Sequence, residues 1–97
     1  MLEVVAIDPG PESSALVVWN GSEVIRRVYA GNSAILDELE MLRSGHGCVI
    51  ERVASYGMPV GAEIFETVYW SGRFAQAFGA ERVDRIPRLA VKMQSLP

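Results

Sequence analysis

Cysteine and histidine each occur once in this chain, as Cys48 and His46. A single cysteine excludes an internal disulfide framework, and one residue of each type cannot supply the several nitrogen and sulfur ligands of a zinc site. No apolar run approaches the ~20 residues of a membrane-spanning helix. Met1-Leu2-Glu3 lacks the basic start of a signal peptide. A general excess of positive charge is missing too, since the 97 residues carry a net charge of −3. Ser13 and Ser14 have no nucleophile elbow and only one distant histidine, which argues against a serine hydrolase. These absences imply a soluble cytoplasmic protein with no membrane partner. Cys48 then acts as a small hydrophobe in a strand, and His46 as a surface loop residue.

What is present suits one small domain over 1–97, near the lower limit for a chain that builds its own core. The apolar share is 49%, ordinary for a globular protein. Charge is unevenly placed. Residues 1–51 hold eight acids and three bases, whereas residues 52–97 hold four acids and six bases. Arg82, Arg85, Arg88 and Lys92 face a single later acid, Asp84. A basic end beside an acidic edge suits a phosphate-bearing ligand with a bridging cation. A solvated basic face accounts for the charge equally well.

Two stretches carry the functional argument. Val4-Val5-Ala6-Ile7 is an apolar run that ends in Asp8 and breaks at Pro9-Gly10. Cys48-Val49-Ile50 ends in the same way, in Glu51. Short apolar runs bounded by turn residues read as buried strands, so both carboxylates fall where a buried strand meets solvent. Ligand sites of open α/β sheets gather at that carboxyl edge.

Between these strands, Ala15–Trp19 and Glu23–Tyr29 flank Asn20-Gly21, a signal for a two-residue hairpin turn. An amphipathic helix of about three turns follows, with Asn32 or Ser33 as N-cap and Ile35, Leu36, Leu39 and Leu42 on its apolar face. Ser44-Gly45 ends it. After Glu51 comes a loop to Gly61, then a second helix from about Ala62 to Phe78, with Gly79 as its stop. Ile64, Phe65, Val68, Tyr69, Phe74, Ala75 and Phe78 give that helix a wide apolar face, and Gly72 suits close approach to a neighbour. Glu63, Glu66, Trp70 and Arg73 share the outer face. Trp70 there is either a contact to a partner or packed beneath another segment. Arg82–Ile86 forms a last short strand.

The element order is β-β-β-α-β-α-β. A strand that follows a crossover helix lies parallel to an earlier one. The simplest arrangement puts the fourth strand beside the first, giving a five-stranded mixed sheet of order 3-2-1-4-5 with flanking helices. Asp8 and Glu51 then end adjacent parallel strands ~4.8 Å apart, close enough to serve one ion.

That topology, with those two carboxylates, resembles the ribonuclease-H-like superfamily, and within it the RuvC-type Holliday junction resolvases. The residues that carry the resemblance are Val5-Ala6-Ile7-Asp8-Pro9-Gly10, Val49-Ile50-Glu51, Tyr56 to Phe78 with Gly57-Met58-Pro59 and Ser71-Gly72-Arg73, and Pro87 to Lys92. The resemblance implies a metal-dependent endonuclease acting on branched or duplex DNA, working as a homodimer. It assigns Asp8 and Glu51 as catalytic ligands of Mg²⁺ or Mn²⁺. Such nucleases use two ions ~4 Å apart, one activating water and one stabilising the leaving oxygen. Magnesium prefers oxygen ligands, so strand-end carboxylates suit it.

Lys92, Arg88, Arg85, Arg52 and Arg73 are candidates for phosphate contacts, with Lys92 matching a lysine that precedes the family's last helix. Members of this family complete the metal site with further acids on a C-terminal helix. The chain stops at Ser95-Leu96-Pro97, so the expectation is a C-terminally truncated domain with an incomplete site. Two other readings remain open. One is a non-catalytic remnant that binds nucleic acid or protein. The other is an actin-like or sugar-kinase ATPase half-domain, against which Pro11-Glu12 stands where phosphate-binding hydroxyls are usual.

Overall fold

The computed structural model describes residues 3–53 and 61–86. Its elements, in chain order, are β1 (Glu3–Asp8), β2 (Ser13–Trp19), β3 (Val24–Gly31), α1 (Asn32–Leu42), β4 (His46–Glu51), α2 (Ala62–Phe78), a single 3₁₀ turn (Ala80–Arg82) and β5 (Val83–Ile86). The strands form one sheet in the order β3-β2-β1-β4-β5. The β1–β2 and β2–β3 pairs are antiparallel, and the β1–β4 and β4–β5 pairs are parallel. This is the five-stranded mixed α/β sheet of order 3-2-1-4-5 that the apolar runs and crossover rule lead one to expect.

One register explains most of the core. Val5 pairs with Cys48 and Ile7 with Ile50, so these four side chains point to the same face. There they meet Leu16 and Val18 of β2, Ile35 and Leu39 of α1, and Phe74 and Phe78 of α2. Both helices therefore cover one side of the sheet. The central strands are buried on the other side as well, through Ala6, Val49 and Glu51, as continuous apolar runs in a parallel pair require.

Several local readings differ from the fold. Asn20 does not sit in a two-residue turn. Its side-chain Oδ1 accepts from the backbone N–H groups of Ser22 (2.9 Å) and Glu23 (3.0 Å), which makes a four-residue loop with Gly21 at φ 100°. The pairing then shifts between Val18 and Trp19, which lie opposite Arg26 and Val24. Asn20's ability to bond its own backbone outweighs the tighter turn.

Helix α1 is preceded by Gly31 with no side-chain cap. Asn32, read from the sequence as a capping residue, is instead buried within the first turn and bonded elsewhere. His46 is not in a loop. It opens β4, and its ring donates from Nδ1 to the Leu42 carbonyl oxygen and pairs through Nε2 with Glu3 Oε1, both at 2.8 Å. Those two partners end α1 and begin β1, so the ring ties together the sheet edge opposite Asp8.

Helix α2 is rotated from the expected face. Ser71, Phe74 and Phe78 are buried, and Trp70 and Ala75 pack partly against the core. Phe65, Val68 and Tyr69 are exposed, at 66%, 49% and 56%. Apolar residues occupy too many α2 positions for all to face one sheet, and the C-terminal rings Phe74 and Phe78 take the core. A Cβ at Gly72 would meet nothing within 4 Å among the described residues, so none of them makes the close approach that the glycine suits. Gly79 ends the helix at φ 115°, its N–H reaching the Ala75 carbonyl oxygen at 3.0 Å. Arg82 then closes α2 onto β4: its guanidinium lies 4.8 Å from the Phe78 ring centroid and donates to the His46 carbonyl oxygen at 3.0 Å.

Two outcomes follow from this packing. Phe74→Ala removes a fully buried ring, and urea unfolding should show a loss of about 3–5 kcal/mol. Burial pushes the Cys48 thiol up to about 12, the main cause being desolvation of the thiolate. A thiol-reactive dye at pH 8 should therefore leave the native protein unlabelled and react at once on unfolding.

Candidate functional site

The parallel register carries Asp8 and Glu51 to the same place. Ile7 opposes Ile50, so the next residue on each strand is a carboxylate at the shared carboxyl edge. Strand alternation turns both away from the helix-packed face. Their surroundings differ: Asp8 is exposed, whereas Glu51 is 7% exposed.

Both line a cleft of about 240 Å³ with Pro9, Gly10, Pro11, Arg52, Val53 and the first turns of α2, namely Glu63, Ile64 and Thr67. A neighbouring hollow shares Pro11 and Glu63 and adds Glu12, Ala62 and Glu66. The sequence pattern places Glu63 on the outer face of α2 with Glu66, Trp70 and Arg73. The fold instead brings the N-terminal end of α2 over the carboxyl edge of β1 and β4, and Glu63 comes with it. No sequence spacing signals this, because β1, β4 and α2 are distant in sequence and the approach depends on their packing.

The basic candidates are dispersed. Arg52 follows Glu51 directly and lines the cleft. Its backbone N–H donates to the Ile86 carbonyl oxygen (2.7 Å), extending the β4–β5 pairing by one residue. Its guanidinium donates to the Arg85 carbonyl oxygen at 3.4 Å. Arg85 is exposed on edge strand β5, outside the cleft. Arg73 lies on α2 with its guanidinium 4.5 Å from the Trp70 ring centroid and 5.6 Å from that of Tyr69. It is held on an aromatic surface, away from the carboxylates. Trp70 is half-buried beneath it, 6.0 Å from Phe74. Arg88 and Lys92 lie outside the described residues.

Among the described residues that line the cleft, Asp8, Glu51 and Glu63 are acidic and Arg52 is the one base, its guanidinium turned to the Arg85 carbonyl oxygen. A phosphate would approach these carboxylates most readily with a cation. Hard oxygen donors at two strand ends fit magnesium or manganese, which are held by one or two carboxylates and keep the rest of their shell as water or substrate oxygen. Among the described residues, no three His, Cys, Asp or Glu side chains converge as a ligand set. The donors present suit a cation shared with a ligand, not a closed structural site. No helix among the described residues is long and apolar enough to cross a membrane.

No protein-family model matches the sequence, and no curated protein sequence matches it either. Similar solved structures include T. thermophilus RuvC in complex with Holliday junction substrate, with a TM-score of 0.63 and 16% identity. That match covers 96% of this chain and 67% of the other. At this identity the likeness is one of fold.

Because Asp8 is exposed, Asp8→Asn should leave the unfolding free energy within about 0.5 kcal/mol of the parent in a denaturant titration. Any loss of metal or nucleic-acid binding in that variant then reports on the site alone.

Proposed function

We propose that this chain is a resolvase-like, metal-dependent protein that binds branched DNA, with Asp8 and Glu51 as its cation ligands. The observation that carries this reading is the placing of the two carboxylates at the ends of adjacent parallel strands, in one acidic cleft with Arg52 on its wall. The fold shared with T. thermophilus RuvC, whose structure holds a Holliday junction, gives the reading its substrate class. Bound magnesium or manganese supplies water activation and charge neutralisation at a phosphodiester.

The chain's own residues do the rest. Asp8, open to solvent, offers oxygens at the cleft mouth. Glu51, recessed behind it, offers a second carboxylate held by the strand. Arg52 lines the same cleft and would contact a phosphate oxygen on leaving its bond to the Arg85 carbonyl oxygen, and Arg73 and Arg85 would extend positive charge beyond the cleft. Pro9 and Gly10 leave the floor free of bulky side chains, so a backbone phosphate can approach.

Binding without cleavage is the second reading. It is favoured by the absence, among the described residues, of a third converging ligand. Calorimetric titration with Mn²⁺ tests the cation site: Asp8→Asn should weaken binding at least roughly tenfold, in line with losses at metal sites whose ligands are disturbed. Equal heats for parent and variant would sink the assignment. Anisotropy with a four-way junction and a linear duplex of equal length separates branched from general DNA binding, and product analysis separates cutting from binding.

We infer further that the active form is a homodimer joined through α2. Phe65, Val68, Tyr69 and Gly72 form a continuous exposed stripe at spacings of three, one and three. Two antiparallel copies crossing near Tyr69 would seat Phe65 of one against Gly72 of the other, and Glu66 of one against Arg73 of the other. Trp70 and its Arg73 contact back that surface. In sedimentation experiments, Glu66→Arg and Arg73→Glu should each weaken the dimer, and the double exchange should restore it. A double exchange no better than either single change would rule out this pairing.

A further inference from the structure

Among the described residues, nothing donates a hydrogen bond to the Asp8 carboxylate, so its placing rests on the backbone that carries it. That backbone is secured from below by a closed ring of three hydrogen bonds. The Gly10 N–H donates to Ser14 Oγ at 3.0 Å, Ser14 Oγ donates to Asn32 Oδ1 at 2.6 Å, and Asn32 Nδ2 returns a bond to the Gly10 carbonyl oxygen at 3.0 Å. Ser14 is 1% exposed and Asn32 3% exposed. The ring joins the loop after β1, the core face of β2 and the first turn of α1. A fourth bond, from the Asn32 N–H to the Glu12 carbonyl oxygen (2.9 Å), fastens the far end of the same loop.

This polar cluster occupies a place where the fold needs none. Ser14 shares the core face of β2 with Leu16 and Val18, and an apolar residue would pack there without desolvation cost. Every member of the ring is satisfied, which is the condition under which a buried polar network stiffens its surroundings. It holds both backbone groups of Gly10, and Gly10 cannot carry a side chain, since a Cβ would run into the Ser13 carbonyl oxygen. Pro9 restricts φ between Gly10 and Asp8, and on the other side β1 pairs Asp8 with Ala15, the residue after Ser14. Asp8 is thus clamped from two directions by groups that converge on Ser14.

We propose that Ser14 and Asn32 are positioning residues that hold the Asp8 carboxylate in its cation-binding place through Gly10. This rests on the reading of Asp8 as a cation ligand, and the test separates the two. Mn²⁺ affinity is measured by calorimetry for the parent, Asp8→Asn, Ser14→Ala and Ser14→Thr proteins. The order of the Asp8 side chain is measured by NMR relaxation in the same proteins, free of metal.

Ser14→Ala should weaken Mn²⁺ binding roughly tenfold, the lower end of losses on removing a support of a metal ligand. It should also loosen the Asp8 side chain and leave most of the folding stability in place. Ser14→Thr, which keeps the hydroxyl, should restore both readouts. A folded Ser14→Ala protein with parental Mn²⁺ affinity and parental Asp8 order would overturn the proposal. If Asp8→Asn does not alter Mn²⁺ binding, the cation reading fails. The positioning role then stands or falls on the order of Asp8 alone. If Ser14→Ala does not fold, Ser14→Cys, nearly the same size but with a weak donor and acceptor, takes its place under the same criteria.

Discussion

The parallel pairing of β1 with β4 is the constraint on which the rest depends. It aligns Val5 with Cys48 and Ile7 with Ile50, and these four side chains form the floor on which α1 and α2 pack. The same register carries the chain one residue further on each strand, to Asp8 and Glu51. Core and cleft are therefore not independent. A slip of one residue in either strand would turn its apolar set to the wrong face and separate the carboxylates at the same time. Burying the two strands pins the site, because the hydrophobic term that fixes the register is far larger than any interaction the carboxylates make.

The cleft gains its character from charge that the fold concentrates. Glu63 arrives from α2, Asp8 and Glu51 from the sheet, and Arg52 is the only base among the described residues that line it. On the proposed reading, nucleic acid would reach such a surface through a shared cation. The guanidinium groups that the sequence places in the second half serve different ends. Arg82 closes the hydrophobic core through Phe78 and His46, and Arg73 covers the ring of Trp70. Among the described residues, counting bases along the chain overstates the charge offered to a ligand at the cleft.

The exposed aromatics of α2 and the buried polar ring under Gly10 are complementary exceptions to simple patterning. Phe65 and Tyr69 are apolar groups left in solvent, where a second surface would cover them. Ser14 and Asn32 are polar groups taken out of it, where their bonds shape a loop. Each departs from the cheapest arrangement of its own element, and each lies beside or along the edge that the site occupies.

Much of this was legible in the chain itself. Apolar runs ending in Asp8 and Glu51, the Asn20-Gly21 hairpin, and strands separated by helical periodicity are local signals. Together with the crossover rule they determine the sheet order and the pairing of the carboxylates. The rotation of α2, the approach of Glu63 to the cleft, the double bonding of His46 and the Ser14–Gly10–Asn32 ring could not be read in this way. Each joins residues distant in sequence through side-chain geometry, and the periodicity of one segment carries no information about the neighbour it will meet. Glu63 and Glu66 have the same chemistry and lie three residues apart, yet only Glu63 shares a cleft with Asp8 and Glu51. The sequence determined which residues could form strands and helices. Only tertiary packing decided which faces met, because there the volume of Phe74 and Phe78 competes for one core with every other apolar side chain of α2.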